Sequence, residues 1–206
     1  MDRTVAAVWA HTPDSILIFM SDNGGAPWFG GLNTPLRGGK GDVFEGGVRV
    51  PAFALDFTAS PNAPGKYLGT PGRSFEGLVH CSDWFPTLVS WAGGSEVNGL
   101  DGHDLSVALL EGSKSPRNEV LLDLYDEGEC VWPGEMVALR VGKFKLIQGS
   151  LSDTHWYSET SSSLRMNSTD TTWASLLAEW MVSFFVCDIN IYNVDDCAFF
   201  ILGKCI

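Results

Sequence analysis

Five consecutive apolar residues, Ile16–Met20, lead directly into the polar pentad Ser21-Asp22-Asn23-Gly24-Gly25. A continuous apolar run of this length is typical of a strand buried on both faces, as in a parallel sheet. The pentad then places a carboxylate and an amide directly after that strand. Their oxygens are hard ligands of the kind that bind Ca²⁺ or Mg²⁺. The sequence therefore predicts a buried strand with a candidate metal site, Asp22 and Asn23, at its end.

A glycine-rich loop follows the pentad, with nine glycines among the 24 residues from Gly24 to Gly47. A long loop inside a compact domain is usually functional. It carries Arg37-Gly38-Gly39-Lys40, and a lysine between glycines can bring its ammonium close to an oxyanion. Together with the metal ligands, Lys40 suggests a site that handles a tetrahedral oxyanion ester. The alternatives are a simple Asx turn at Asp22 and a solvated surface lysine at Lys40.

The periodicity beyond this loop predicts alternating strands and helices, followed by antiparallel strands. Val48–Phe57 is expected as a buried strand, and a helix with its N-cap at Ser82 is expected to end at Gly93-Gly94. The remaining expected elements are a helix over Asp104–Glu111, a strand over Glu119–Tyr125 and a hairpin of Met136–Val141 with Phe144–Gln148. This order indicates an α/β domain followed by a small antiparallel subdomain.

The last part of the chain differs in composition. Ser150–Thr172 is polar, and two apolar segments follow it, Met181–Cys187 and Cys197–Leu202. Because neither segment has an evident partner, we expect everything from Ser150 onward to be poorly anchored. The expected division is residues 1–128 as the α/β part, 129–150 as the hairpin and 151–206 as a divergent tail.

Composition excludes some classes of partner. The net charge of −12 argues against nucleic acid and against an anionic membrane. Neither apolar segment of the tail is long enough to span a bilayer, and the residues after Met1 do not resemble a signal peptide. Five cysteines leave both free thiols and disulfides open. Asn167-Ser168-Thr169 is a candidate N-glycosylation site at Asn167.

Seven short motifs carry a family resemblance over residues 15–149, and they occur in the order and at roughly the spacing of one family. They are Ser21–Gly25, Asn33–Lys40, Phe44–Pro51, His80–Leu88, Leu100–Gly102, Ser115–Arg117 and Leu139–Gly149. In these motifs the chain resembles the C-terminal portion of a type I sulfatase, closest to the arylsulfatase B-like group. The implied fold is part of an alkaline-phosphatase-like sheet domain followed by a small antiparallel subdomain.

The resemblance also implies chemistry. Asp22 and Asn23 match metal ligands, for Ca²⁺ or else Mg²⁺, and Lys40 matches a lysine that contacts the sulfate. The implied substrate is a sulfate ester of the aryl or glycosaminoglycan type, and the implied location is lysosomal or secreted. The family's nucleophile is a formylglycine made from a Cys/Ser-x-Pro-x-Arg motif.

That nucleophile motif does not occur in this sequence. We therefore expect a piece of a sulfuric ester hydrolase that is inactive by itself. The alternatives are a non-catalytic truncated isoform or pseudoenzyme, and a phosphoester hydrolase of the same superfamily.

Other charged residues are expected to be structural. Glu45 and Arg49 are interpreted as an ion pair that fixes the loop, and Arg37 as a cation paired with Asp42 or Glu45. His80 lies directly before the expected helix and is given no catalytic role.

Overall fold

The computed structural model describes residues 2–12, 14–41, 43–60, 62–124, 136–149, 181–187 and 198–202. Its helices are α1 (Asp2–His11), α2 (Glu45–Val48), α3 (Trp84–Trp91) and α4 (Ser106–Glu111), with 3-10 turns at Pro27–Phe29 and Cys81–Asp83. Its strands are β1 (Ile16–Met20), β2 (Arg49–Asp56), β3 (Ser74–His80), β4 (Glu119–Leu124), β5 (Met136–Val141), β6 (Phe144–Gly149), β7 (Met181–Cys187) and β8 (Ala198–Leu202). The mixture of helices and strands confirms an α/β protein.

The larger sheet has five strands in the order β3-β7-β2-β1-β8. β1 is antiparallel to both of its neighbours, with Ile18 opposite Ala54 of β2 and Phe200 of β8. The expectation of a central parallel strand was therefore wrong for β1. Within the described ranges only β3 and β7 run parallel.

The burial of β1 explains why its sequence looks like that of a parallel strand. All five of its residues are buried. Ile16, Ile18 and Met20 belong to the core cluster that includes residues of α3 and α4, while Leu17 and Phe19 pack with Val5 of α1. An apolar run indicates that both faces of a strand are buried, but it does not indicate the direction of the neighbouring strands. In this fold helices bury both faces of β1.

The two apolar segments of the tail do have partners. β7 lies between β2 and β3, and β8 pairs with β1 along its whole length. The expectation that these segments lack a place in the fold was wrong for their backbones. Each adds a row of backbone hydrogen bonds to a strand that would otherwise have an open edge.

The smaller sheet is antiparallel, in the order β4-β5-β6, and it confirms the expected strand and hairpin. Leu139 lies opposite Leu121 on one side and Leu146 on the other. The inner face buries Val120, Leu122 and Ala138 against Val43 and Val48 of the glycine-rich loop and α2. The smaller sheet therefore packs directly on the segment that leads out of the candidate site.

The N-cap residue before α3 differs from the expected Ser82, because a 3-10 turn precedes the helix. His80, rather than Ser82, caps that turn: the His80 side chain accepts a hydrogen bond from the Ser82 N–H, and the Asp83 carboxylate accepts one from the His80 N–H at 2.8 Å. This reciprocal pair is a capping box, which satisfies donors that a helix start leaves unpaired. His80 therefore has a structural role, as expected, and Asp83 is its partner in that role.

Asp83 is also the centre of a buried joint between the two sheets. Its carboxylate is fully buried and forms an ion pair with Arg117, whose Nη2 lies 2.6 Å from Oδ1. It also accepts the His103 N–H, while Arg117 donates to the carbonyl of Asp101. Because Arg117 lies two residues before Glu119, the first residue of β4, this cluster fixes where the smaller sheet begins.

No helix in the described ranges has the length and apolar character needed to cross a bilayer.

Removing the cation of this joint should destabilise the fold. Arg117→Ala leaves a buried carboxylate without its charge partner, and we expect a loss of about 3 kcal/mol in the free energy of unfolding. Chemical denaturation measures this value. Lys114→Ala, a charge removal at an exposed neighbour, is the matched control and should change stability by less than about 0.5 kcal/mol. An equal loss of unfolding free energy in the two variants would show that the Arg117–Asp83 ion pair does not stabilise the fold.

His80 should make stability depend on pH. Burial first, and the nearby Arg117 second, hold the pKa of His80 below its ordinary value, although Asp83 and Asp101 oppose the shift. In the unfolded chain His80 binds a proton near pH 6.5, whereas in the folded chain it stays neutral to a lower pH. The contribution of neutral His80 to the free energy of unfolding is therefore present above the pKa of the unfolded chain, and it is lost as the pH falls.

We therefore expect the free energy of unfolding to fall between pH 7.5 and pH 5.5, and to fall less in His80→Asn, which keeps a side-chain acceptor at the cap. The exposed His103→Asn variant should follow the native profile. Parallel profiles for all three proteins would rule His80 out as the source.

Candidate functional site

The site begins where β1 ends, in a turn held by its own side chains. The Asp22 Oδ1 atom accepts the Asn23 N–H at 2.8 Å, and the Asn23 amide donates to the Gly24 carbonyl at 2.9 Å. The Ser21 hydroxyl donates to the Asn23 carbonyl. These local hydrogen bonds fix the turn that follows β1. The side chains of Asp22 and Asn23 are half-buried there.

Each of the two side chains keeps an oxygen available. Within the described ranges, neither Oδ2 of Asp22 nor Oδ1 of Asn23 accepts a hydrogen bond. A carboxylate oxygen and an amide oxygen on adjacent residues match the donors that Ca²⁺ prefers. Such a pair can supply part of a coordination sphere, and the rest must come from other groups.

Three-residue metal clusters are not found in the described residues: no group of three or more His, Cys, Asp or Glu side chains there could hold an ion. Asp22 and Asn23 fit a hard cation by donor type but not by number, since Ca²⁺ takes six to eight oxygen ligands. Their assignment as metal ligands stays a prediction.

Asn33 closes the loop over the turn, and it is the residue that the sequence interpretation missed. Its Oδ1 accepts the Gly25 N–H at 2.8 Å, while its Nδ2 donates to the carbonyls of Gly25 and Gly38 at 2.8 and 3.1 Å. One side chain thus joins the end of the pentad to the glycines before Lys40. The signal for it was an amide residue inside a glycine-rich loop, where backbone groups need a partner.

The loop packs backbone against backbone at its two ends. The Gly24 N–H donates to the Gly47 carbonyl at 2.8 Å, and the Gly46 N–H donates to the Arg37 carbonyl at 2.7 Å. A Cβ at Gly24 would overlap the Gly46 carbonyl, and one at Gly46 would overlap the carbonyl of Gly38. These glycines are therefore required by close approach of the chain to itself.

Lys40 is brought beside the turn by its backbone. Its N–H donates to the Gly25 carbonyl at 3.2 Å, and its side chain is exposed. The fold thus joins the Lys40 segment to the turn that carries Asp22 and Asn23. It stays a prediction that the Lys40 ammonium and a metal held by Asp22 and Asn23 contact the same anion.

Arg37 packs on an aromatic side chain of the same loop. Its guanidinium lies over the ring of Phe44, 3.9 Å from the ring centroid, a cation–π arrangement. Of the two expected ion-pair partners, Glu45 is not the partner, because its two oxygens bind other cations. Asp42 lies outside the described residues, so pairing of Arg37 with Asp42 stays a prediction.

Those cations come from the smaller sheet. Glu45 binds Arg140 at 2.9 Å and Lys145 at 3.0 Å. The expected pair of Glu45 with Arg49 was therefore wrong. Arg140 and Lys145 lie opposite each other on β5 and β6, so their shared face presents two charges to one carboxylate. This bridge ties α2, and with it the end of the glycine-rich loop, to the smaller sheet.

Asn167, the glycosylation candidate, lies outside the described residues.

Comparison with known proteins agrees with the motif resemblance. No family model matches the chain. Among curated proteins, arylsulfatase J of Mus musculus is 38% identical over 69% of this chain and 25% of its own length. Arylsulfatase A is 38% identical in Bos taurus, over 75% of this chain and 31% of the relative. Arylsulfatase A of Homo sapiens is 39% identical over 68% of this chain and 27% of the relative.

The chain belongs to the sulfatase family, and it matches a C-terminal portion of its members. It spans about a quarter to a third of the length of these curated relatives.

The loop closure can be tested at Asn33. Asn33→Ala removes three hydrogen bonds and leaves the Gly25 N–H and the Gly38 carbonyl without their Asn33 partner, so we expect a loss of about 1–3 kcal/mol in stability. Amide hydrogen exchange should become faster at Gly25 and Lys40. The exposed Asn98→Ala is the matched control. Unchanged exchange at Gly25 would show that Asn33 does not hold the loop.

Proposed function

We propose that this chain supplies part of the metal and sulfate site of a sulfuric ester hydrolase. The observation that carries the proposal is the closure of the Asp22–Gly25 turn onto the segment of Lys40. Asn33 and the Gly25 carbonyl join these two pieces of chain. A sulfate ester needs both elements together, because its oxygens carry charge that a cation and a positioned ammonium can stabilise.

Each residue has a stated role in this proposal. Asp22 and Asn23 offer their free oxygens to Ca²⁺, with Mg²⁺ as the other candidate. The bound cation would draw charge from the sulfate oxygens. Lys40 is a mobile point charge on an exposed stem and would bind the sulfate from the loop side. The glycine packing keeps the turn narrow, so that backbone and ligand can approach closely.

The nucleophile is proposed to come from residues other than those of this chain. A Cys/Ser-x-Pro-x-Arg motif does not occur in its 206 residues, so a formylglycine would form elsewhere in a complete enzyme. The chain alone should bind sulfate and metal weakly without hydrolysing an aryl sulfate. The same reasoning keeps a non-catalytic isoform or pseudoenzyme as the second candidate function.

We further propose that the five-stranded sheet is part of an alkaline-phosphatase-like domain. The support is the position of the site, at the end of a strand that is buried on both faces. A lysosomal or secreted location belongs to the same proposal.

Calcium should bind at the turn and not elsewhere on β1. In NMR titrations of the 206-residue chain, Ca²⁺ should shift the amides of residues 22–25 with an affinity in the range of about 0.1–1 mM or weaker, since only two side chains contribute. Asp22→Ala should abolish these shifts because it removes the charged ligand.

Asp14→Ala is the matched control. It removes an exposed carboxylate at the opposite end of β1 and should leave the titration unchanged. Shifts that survive Asp22→Ala, or that never reach residues 22–25, would contradict the metal assignment.

A further inference from the structure

A groove of about 570 Å³ lies between β3, the segment that precedes β4, and the β5–β6 turn. Its walls come from residues 74–78, from residues 112–115 with 117 and 118, and from residues 140, 142 and 143. They include neither Asp22, Asn23 nor Lys40. A cleft of this size suits a ligand of several rings. It is therefore a separate candidate binding surface.

The groove concentrates positive charge on an acidic chain. Lys114, Arg117, Arg140 and Lys143 line it, and Glu76 is the carboxylate in the lining. Because Arg117 and Arg140 are paired with Asp83 and Glu45, the excess charge comes from Lys114 and Lys143. The chain as a whole has a net charge of −12. A local excess of cations in a cleft raises the concentration of anionic ligands there, whatever the net charge of the molecule.

The two arginines are already committed to structure. Arg117 pairs with the buried Asp83, and Arg140 pairs with Glu45. The two lysines are exposed, and within the described residues no ion pair joins either of them to a carboxylate. Lys143 lies 5.3 Å from the ring centroid of Phe144. The lysines are thus the cations free to meet a ligand, and they belong to different walls.

The lining favours a sugar chain over other anions. Single strands of nucleic acid bind on exposed aromatic faces, but the aromatic residue in this lining, Phe75, is only 3% exposed. The exposed ring of Phe144 does not belong to the lining. A single small anion would need convergent donors, whereas Lys114 and Lys143 lie on separate walls of an open groove. Asn118 and Ser113 add exposed polar groups, which suit the hydroxyls of a carbohydrate.

We propose that this groove binds an anionic oligosaccharide, with Lys114 and Lys143 contacting its sulfate or carboxylate groups. The inference rests on the proposed function, because it makes the sulfate ester part of a polymer that is held at a second place. Glu76 opposes the ligand in this arrangement, and its removal should strengthen binding.

The test is a fluorescence polarisation titration of the 206-residue chain with a labelled sulfated hexasaccharide. We expect the Lys114→Gln and Lys143→Gln double variant to bind about tenfold more weakly, at the upper end for two exposed charge pairs. Glu76→Gln should bind up to about threefold more tightly. The affinity of the native chain should also fall with added salt more steeply than that of the double variant.

Matched variants separate this groove from the site at Lys40. Lys66→Gln removes an exposed lysine outside the groove and should weaken binding of the hexasaccharide by no more than about twofold. Lys40→Gln removes the proposed sulfate ligand and measures how much the site at Lys40 adds to the binding of the same probe. If Lys40→Gln alone weakens binding, the groove proposal fails while the proposed function survives. If the native chain does not bind, if the double variant binds normally, or if an oligonucleotide of equal charge binds as tightly, the groove proposal is overturned. The calcium titration at residues 22–25 judges the proposed function independently of all these outcomes.

Discussion

Close packing of backbone on backbone between Gly24 and Gly46–Gly47 is the constraint on which the rest of the site depends. A Cβ at Gly24 would overlap the Gly46 carbonyl, and a Cβ at Gly46 would overlap the Gly38 carbonyl. Glycine at both positions therefore lets the turn after β1, the Lys40 segment and α2 approach one another this closely. The N–H of Gly24 and the carbonyl of Gly47 then satisfy each other. Without that contact the glycine-rich loop would have no fixed base, and Asn33 could not reach both Gly25 and Gly38.

Two charged joints hold this unit to the smaller sheet. Glu45 binds Arg140 and Lys145 from the loop side, and Arg117 binds the buried Asp83 where β4 begins. The joints differ in their physics. Asp83 is buried and surrounded by donors, so removal of its partner is costly, whereas the Glu45 bridge is partly solvated and contributes less. The position of the smaller sheet, and the groove along its edge, depend mainly on the Asp83 joint.

Local patterns predicted local elements well, and they failed wherever distant parts of the chain decide the outcome. β1, β2 and the β5–β6 hairpin follow from apolar runs and a Gly-Lys turn. The direction of β1 did not follow, because its apolar run reports only that both faces are covered. β3 was missed because Glu76 and Gly77 interrupt its apolar pattern, and its pairing with β7 joins segments more than a hundred residues apart.

The site shows the same division. Asp22, Asn23 and Lys40 could be selected from the sequence, since each stands in a short motif with recognisable chemistry. The partners of Glu45 could not, because Arg140 and Lys145 lie 95 and 100 residues further along the chain. Asn33 has three hydrogen bonds to backbone groups whose approach exists only in the folded loop. The role of Asn33 in closing the loop therefore could not be predicted from the sequence.

The most direct test of the account is to locate a metal and an oxyanion in crystals of this chain soaked with a lanthanide and selenate, using the anomalous signals of both. The account predicts a lanthanide peak about 2.3–2.6 Å from the free oxygens of Asp22 and Asn23, with selenate within hydrogen-bond distance of the Lys40 ammonium. A lanthanide bound away from residues 22–23, or selenate remote from Lys40, would contradict it.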